Sequence, residues 1–158
     1  LLVRELSKAT GALGMAGGQA IDIQAVKLEL KKNEIQMMHK LKTGALLEAA
    51  VNMGFLGVSL KKDFDKIVDF KKFASFLGIA FQVVDDILDV VGVQNKLGKT
   101  VGRDSDLEKP NFVQILGVKK SKLYAEESLD RALGSINNYG CEADFLREIA
   151  VSLVKRKY

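Results

Sequence analysis

The sequence predicts an all-α fold, and three observations predict it. Proline, which lacks the amide N–H a helix interior needs and clashes with the preceding turn, occurs once in 158 residues, at Pro110. Apolar residues recur at intervals of three and four over long stretches, the spacing of one helix face. The apolar–polar alternation of a half-buried strand is missing throughout.

A first helix is expected to end near Gly17-Gly18 or to continue to Ile23. A second runs from Asn33, a residue type suited to a helix N-cap, to Phe55, with Ile35, Met38, Leu41, Ala45 and Glu48 in helical register. A third starts near Asp63 and reaches Val91, a length of about 45 Å at 1.5 Å per residue. Its phenylalanines Phe64, Phe73, Phe76 and Phe81 read as core, Phe81 alone being placed to line a cavity as well. Residues 92–110 form the longest irregular stretch, rich in Gly, Lys and Asp. Two further helices are expected at 112–138 and 142–156, the last with Phe145, Leu146, Ile149, Ala150, Leu153 and Val154 on one stripe. No repeat or low-complexity tract divides the chain, and residues 1–158 read as a single domain.

Composition narrows the partners. Hydrophobic residues at 47% and charged residues at 28% describe a globular chain rather than a disordered one. No stretch approaches the ~20 consecutive apolar residues of a membrane span, and no cationic start leads into an apolar run with a cleavage site. Cys141 is the only cysteine, so no intramolecular disulfide forms and a cytoplasmic location is expected. The net charge of +4 raises the question of nucleic acid. However, basic and acidic residues alternate, as in Lys27, Glu29, Lys31, Lys32 and Glu34, and Trp is absent. No basic stripe interleaved with aromatics appears, so nucleic acid is not expected.

The string with the most chemistry is Phe81-Gln82-Val83-Val84-Asp85-Asp86-Ile87-Leu88-Asp89. On a helix, Asp85 and Asp89 share a face one turn apart, Asp86 is adjacent, and Gln82 lies one turn earlier. Each close like-charge pair costs about 0.2–0.5 kcal/mol, and the flanking residues are apolar, so a positive partner is expected. Hard divalent cations take oxygen ligands, and Mg2+ is typically held by one or two carboxylates plus waters and substrate phosphates. An exposed acidic face paired with lysines is the plainer reading of D-D-x-x-D alone.

In its context the string resembles the second aspartate-rich motif of the trans-isoprenyl diphosphate synthases, the farnesyl and geranylgeranyl diphosphate synthase family. Other stretches fall in the family's order. Gly14-Met15-Ala16-Gly17-Gly18-Gln19-Ala20-Ile21-Asp22 is similar to its G-M-x-x-G-Q-x-x-D helix, and Lys42-Thr43-Gly44-Ala45 to its K-T-G/A motif. Leu97-Gly98-Lys99, then Gly102, Asp104 and Lys109, resembles the loop that closes over the diphosphate. The likeness covers essentially the whole chain and is strongest to bacterial short-chain, farnesyl-type members. Relatives often have Ser/Thr-Thr after the second loop lysine, where this chain has Pro110-Asn111.

The resemblance implies the later half of an all-α helical barrel, a partial polyprenyl synthetase whose upstream half and first aspartate-rich motif precede Leu1. It implies condensation of isopentenyl diphosphate with an allylic diphosphate (dimethylallyl or geranyl), giving farnesyl diphosphate. Several Mg2+ ions would be held by Asp85, Asp86 and Asp89, the last two through waters. Lys42, Lys99 and Lys109 would cradle the allylic diphosphate, while Thr43, Gln82 and the Lys42 carbonyl offer oxygen dipoles to a carbocation. His39, the only histidine, is not required by the family and is read as non-catalytic; the released diphosphate would serve as base. The family's intact enzyme is a homodimer, and this chain alone is expected to be helical and inactive. A geranylgeranyl or longer product, and a non-catalytic helical partner subunit, are the competing readings. The metal and lysine residues argue against a scaffold, and the K-T-G and L-G-K elements argue against a cyclising or head-to-head synthase.

Overall fold

A computed structural model of the chain describes residues 1–58, 66–96 and 110–156, the side chains of 92–96 excepted. Among the described residues there are helices and turns and no strand. The helices are α1 (Leu2–Thr10), α2 (Met15–Gln24), α3 (Lys32–His39), α4 (Ala45–Val58), α5 (Ile67–Lys96), α6 (Phe112–Ser135) and α7 (Asp144–Val154). A five-residue π-helical turn, Lys40–Gly44, joins α3 to α4, and a 3₁₀ turn, Cys141–Ala143, leads into α7.

Helix α5 carries the core. Phe73, Leu77, Ala80, Val84 and Ile87 recur every three or four residues and are all buried, the stripe that a helix between others requires. They meet Phe112, Ala125, Leu129 and Ala132 of α6, Ile35 and Met38 of α3, and Ala150 and Val154 of α7 in one cluster. Fully burying a Phe or Ile side chain stabilises by about 1.5–3 kcal/mol. Three such groups on α5 and α6 therefore outweigh like-charge repulsion of ~0.2–0.5 kcal/mol per pair within the carboxylate string. Packing, not helix propensity, holds the acidic turn helical. Phe73 is wholly buried and Phe76 packs against the core, as expected of that series; Phe64 lies outside the described residues.

Several expected boundaries shift. The first helix does not run to Gly17-Gly18: α1 ends at Thr10, the chain turns through Gly11–Gly14, and α2 starts afresh. Glycine's low helix propensity makes that run the cheapest place to break. Asn33 is not the N-cap. Lys31 takes that position, its backbone N–H donating to the Glu34 carboxylate at 2.7 Å, because the acid three residues into the helix satisfies the orphan amide. Helix α5 extends past Val91 to Lys96, so 92–96 belong to it and not to the irregular stretch; the expected start near Asp63 lies outside the described residues. Helix α6 stops at Ser135 and bends at Gly117, whose φ of 75° suits only glycine without strain. Helix α7 is shorter than predicted, and Phe145, at 71% exposure, lies off the core stripe.

One contact fixes where the π turn sits. A Cβ at Gly18 would lie 2.2 Å from the Lys42 backbone nitrogen and 2.6 Å from its Cα, so α2 touches the turn backbone to backbone. Gly18→Ala should cost at least about 1–3 kcal/mol by overpacking. Gly54→Ala, on the exposed side of α4 with nothing within 4 Å of the new methyl, should stabilise by up to ~1 kcal/mol. Urea denaturation of the two variants beside wild type checks both signs; a neutral Gly18→Ala contradicts the close approach.

Candidate functional site

The π turn holds Lys42, Thr43 and Gly44. A π turn widens the helix by one residue and is frequent at functional sites. Here the sequence permits it through small residues on both flanks. Gly18 admits α2 on one side, and on the other a Cβ at Gly78 would lie 3.3 Å from the Gly44 Cα. Two glycines facing each other bring α5 close, and Gln82, one turn after Gly78, comes within reach of Thr43. The Thr43 hydroxyl donates to Gln82 Oε1 at 2.8 Å. Thr43 thus bonds across helices and not back to its own backbone.

Lys42 points the other way. Its Nζ lies 2.7 Å from Oδ2 of Asp22, a carboxylate 5% exposed on α2. Gln19, from the same stretch as Asp22, is exposed.

The three carboxylates of α5 have three environments. Asp89 is exposed. Asp85 is half-buried, and its Oδ1 accepts from the Arg156 guanidinium at 2.8 Å. Partial burial raises the Asp85 carboxyl, Arg156 pulls it back down, and Asp89 one turn away raises it. Arg156 is itself fixed: its Nε donates to the Leu153 carbonyl at 2.8 Å, and its guanidinium lies 4.6 Å from the Phe81 ring centroid, within cation–π range. Asp86 is turned inward and is 6% exposed. Its Oδ2 accepts from the Phe112 backbone N–H at 2.9 Å and its Oδ1 from Gln82 Nε2 at 3.3 Å. Burial still dominates and pushes the Asp86 carboxyl up to about 7.

The Phe112 amide is available because α6 begins there. Asn111 caps the helix: its side chain accepts from the Gln114 N–H at 2.9 Å, and Gln114 Oε1 accepts from the Asn111 N–H at 3.3 Å. Asn ranks with Asp and Ser among the best caps, so Asn111 fixes the start of α6.

His39 is also buried here, its ring tilted by 44° against that of Phe112 with centroids 5.4 Å apart. Its Nε2 lies 3.8 Å from Asp86 Oδ1, beyond hydrogen-bond distance. Burial and then the Lys42 charge lower its pKa to about 4, against a small raising effect of Asp22. Neutral imidazole at that distance makes a packing contact with Asp86 and no ion pair.

The resemblance assigned Lys42, Thr43, Gln82, Asp85, Asp86 and Asp89 to one site, and the structure brings Thr43, Gln82 and Asp86 into one hydrogen-bonded chain. Lys99 and Lys109 lie outside the described residues. Arg156 was missed, because 71 residues separate it from Asp85 and a single arginine near a helix end carries no signal. The role of the Phe112 amide was missed too, since backbone donors have no side-chain signature.

For a metal, the donor set is the hard carboxylate oxygens of Asp85 and Asp89 at a solvent-facing edge. Among the described residues no three acidic, His or Cys side chains close into a cage. That arrangement fits Mg2+, which keeps waters and shares phosphate ligands. The edge is open rather than enclosed. Cavities of about 320 Å³, beside Val84 and Arg156, and about 370 Å³, beside His39, Gly44 and Gly78, flank it, and neither contains the carboxylates.

A family model described as polyprenyl synthetase matches residues 2–150. Farnesyl diphosphate synthase of Escherichia coli is 38% identical over 135 residues, covering 85% of this chain and 45% of that enzyme. The chloroplastic heterodimeric geranylgeranyl pyrophosphate synthase large subunit 1 of Arabidopsis thaliana is 41% identical over 139 residues, covering 84% of this chain and 37% of that one. Among solved structures, an FPP/GFPP synthase from Zymomonas mobilis has a TM-score of 0.79 at 33% identity, covering 97% of this chain and 50% of that chain. A geranyltransferase from Helicobacter pylori complexed with magnesium and isoprenyl diphosphate has a TM-score of 0.76 at 30% identity, covering 97% and 50%. The chain spans about half the length of the curated relatives it matches.

The opposite shifts of His39 and Asp86 give a pH prediction for the metal-free chain. His39, lowered from 6.5 to about 4, binds fewer protons folded than unfolded in that window, so its contribution is lost as pH falls. Asp86, raised from 3.8 to about 7, binds more protons folded, so its contribution is lost as pH rises. Between pH 4 and 6.5 the two offset. Asp86→Asn leaves His39 alone, and the variant should lose about 3 kcal/mol between pH 6.5 and 4, while wild type stays nearly level. Urea midpoints across that range decide it; a level profile in the variant contradicts the buried neutral histidine.

Proposed function

The chain belongs to the polyprenyl synthetase family, and from that premise we propose that it is half of a trans-prenyltransferase joining isopentenyl diphosphate to an allylic diphosphate, with farnesyl diphosphate as product. The observation that carries the reading is the Thr43–Gln82 hydrogen bond at 2.8 Å. It sets the K-T-G turn against the D-D-x-x-D helix, one turn from Asp85, and supports reading the oxygen dipoles and the carboxylates assigned to the metal as one site. The farnesyl product follows the resemblance to farnesyl synthases. Geranylgeranyl diphosphate is the second reading, favoured by the Arabidopsis relative. A homodimer of the complete enzyme completes the proposal.

The reaction needs no strong nucleophile in the protein. The allylic C–O bond breaks with its electron pair leaving on the diphosphate, which gains charge as the carbocation forms. The isopentenyl double bond then adds to the cation, and a proton is lost to the released diphosphate. Asp85 and Asp89 would hold magnesium together with water and phosphate oxygens, and the ion would supply positive charge to the leaving group when bound. Lys42, paired with Asp22, would contribute a cation to the same diphosphate, together with Lys99 and Lys109. Thr43 and Gln82 turn oxygen toward the cation without offering a nucleophile that would trap it. Arg156 neutralises Asp85 in the resting chain.

Asp85→Ala in the complete protein should lower turnover by at least about 10²–10³, the loss typical of one charge-stabilising group, with the circular dichroism spectrum unchanged. Near-normal turnover at saturating Mg2+ would sink the assignment.

Lys42→Ala and Lys99→Ala should weaken allylic diphosphate binding more than isopentenyl diphosphate binding. Calorimetric titration with a non-ionisable allylic analogue, and separately with isopentenyl diphosphate, measures the two. Equal loss for both would reduce these lysines to electrostatic background.

A further inference from the structure

Asp86 follows Asp85 in the motif, but its two oxygens face the protein. It is 6% exposed, with the Phe112 N–H on Oδ2 at 2.9 Å and Gln82 Nε2 on Oδ1 at 3.3 Å. We propose that Asp86 is a positioning residue, not a metal ligand, and that it sets the sign of the dipole Thr43 presents to the substrate.

The argument is one of hydrogen-bond polarity. An ionised carboxylate only accepts, so with Asp86 ionised Gln82 turns its NH2 toward it. That places Gln82 Oε1 at the far end of the amide, where it can only accept. Thr43 is the group it meets, at 2.8 Å, and the single hydroxyl proton of Thr43 is spent on that bond. Every other direction around the Thr43 oxygen is then lone pair. A developing carbocation requires an oxygen with no proton pointing at it. The Phe112 amide anchors the chain at its other end, and as the first residue of α6 it has no helical acceptor of its own.

Asparagine at 86 has nearly the same shape and reverses the chain. Its oxygen goes to the Phe112 N–H, its NH2 faces Gln82, and the Gln82 amide turns over to accept. The Gln82 NH2 then donates to Thr43, and the Thr43 proton is released toward the substrate. The inference rests on the prenyltransferase reading, so the test separates the two.

Four variants of the complete protein, Asp85→Asn, Asp86→Asn, Thr43→Val and Asp86→Asn/Thr43→Val, are titrated with Mn2+ by electron paramagnetic resonance at alkaline pH and assayed for turnover. Asp86→Asn is expected to lower turnover by about 10²-fold while losing at least roughly tenfold less Mn2+ affinity than Asp85→Asn, since it removes charge but no ligand. In the Thr43→Val background the Asp86→Asn effect on turnover should largely vanish, because coupled residues are non-additive. Loss of Mn2+ affinity equal to that of Asp85→Asn would make Asp86 a ligand and overturn the inference. So would a full 10²-fold effect persisting without the Thr43 hydroxyl. Should Asp85→Asn leave Mn2+ affinity unchanged, the metal reading fails, and the Thr43 cycle still decides the role of Asp86. The exchange Gln82→Glu/Asp86→Asn restores every donor–acceptor pair with net charge unchanged. It should unfold at the wild-type temperature; an exchange no more stable than Asp86→Asn alone would overturn the hydrogen-bond chain.

Discussion

A carboxylate on the buried side of the helix that carries the core constrains everything around it. An uncompensated charge there would cost several kcal/mol, enough to rival the burial of a large side chain. Asp86 meets that demand with donors from two other places in the chain: the first amide of α6 and the side chain of Gln82. The α6 amide is on hand only because Asn111 caps the helix at that residue, and the Gln82 amide only because Thr43 takes up its far end. The start of α6, the approach of the π turn and the rotamer of Gln82 are thus tied to one buried acid. Even so, burial, with the Asp89 and Asp85 charges adding to it, keeps its pKa raised, to about 7.

The second device is close backbone contact. Gly18 against Lys42 and Gly44 against Gly78 leave no room for a methyl group at either crossing without displacement. Between these two contacts the chain adopts a π turn, which shifts Lys42 and Thr43 out of simple α register. Lys42 then turns toward Asp22 and Thr43 toward Gln82, although they are neighbours in sequence. A lysine that would otherwise sample many rotamers is held by a buried carboxylate, and its entropy is lost on folding rather than on binding.

The acidic edge is balanced by a residue from the far end of the chain. Arg156 bonds Asp85 and stacks on Phe81, joining the end of α7 to the middle of α5. Elsewhere the surface is less settled. Leu2, Val3 and Leu6 of α1, Leu13 in the turn, and Ile21 and Ile23 of α2 are all exposed, in a chain that spans about half of its relatives' length.

The sequence by itself determined the helical class, because a period of three to four and a lone proline are properties of neighbouring residues. It also determined that Asp85 and Asp89 share a face, since four residues make one turn in any α-helix. The motif strings were legible for the same reason. Tertiary structure decided what lay between distant residues. That Asp86 faces inward followed from which side of α5 meets α6, and the two are 26 residues apart at the hydrogen bond between Asp86 and Phe112. That Arg156 neutralises Asp85 followed from the packing of α7. The break at Gly11–Gly14, the cap at Lys31 and the π turn were local in place but not in cause. Gly18 and Gly78 permit the turn, and neither is within twenty residues of Thr43 in sequence. Periodicity reports which residues one helix turns toward a neighbour; it carries no record of which neighbour arrives, and the chemistry of this edge depends on that arrival.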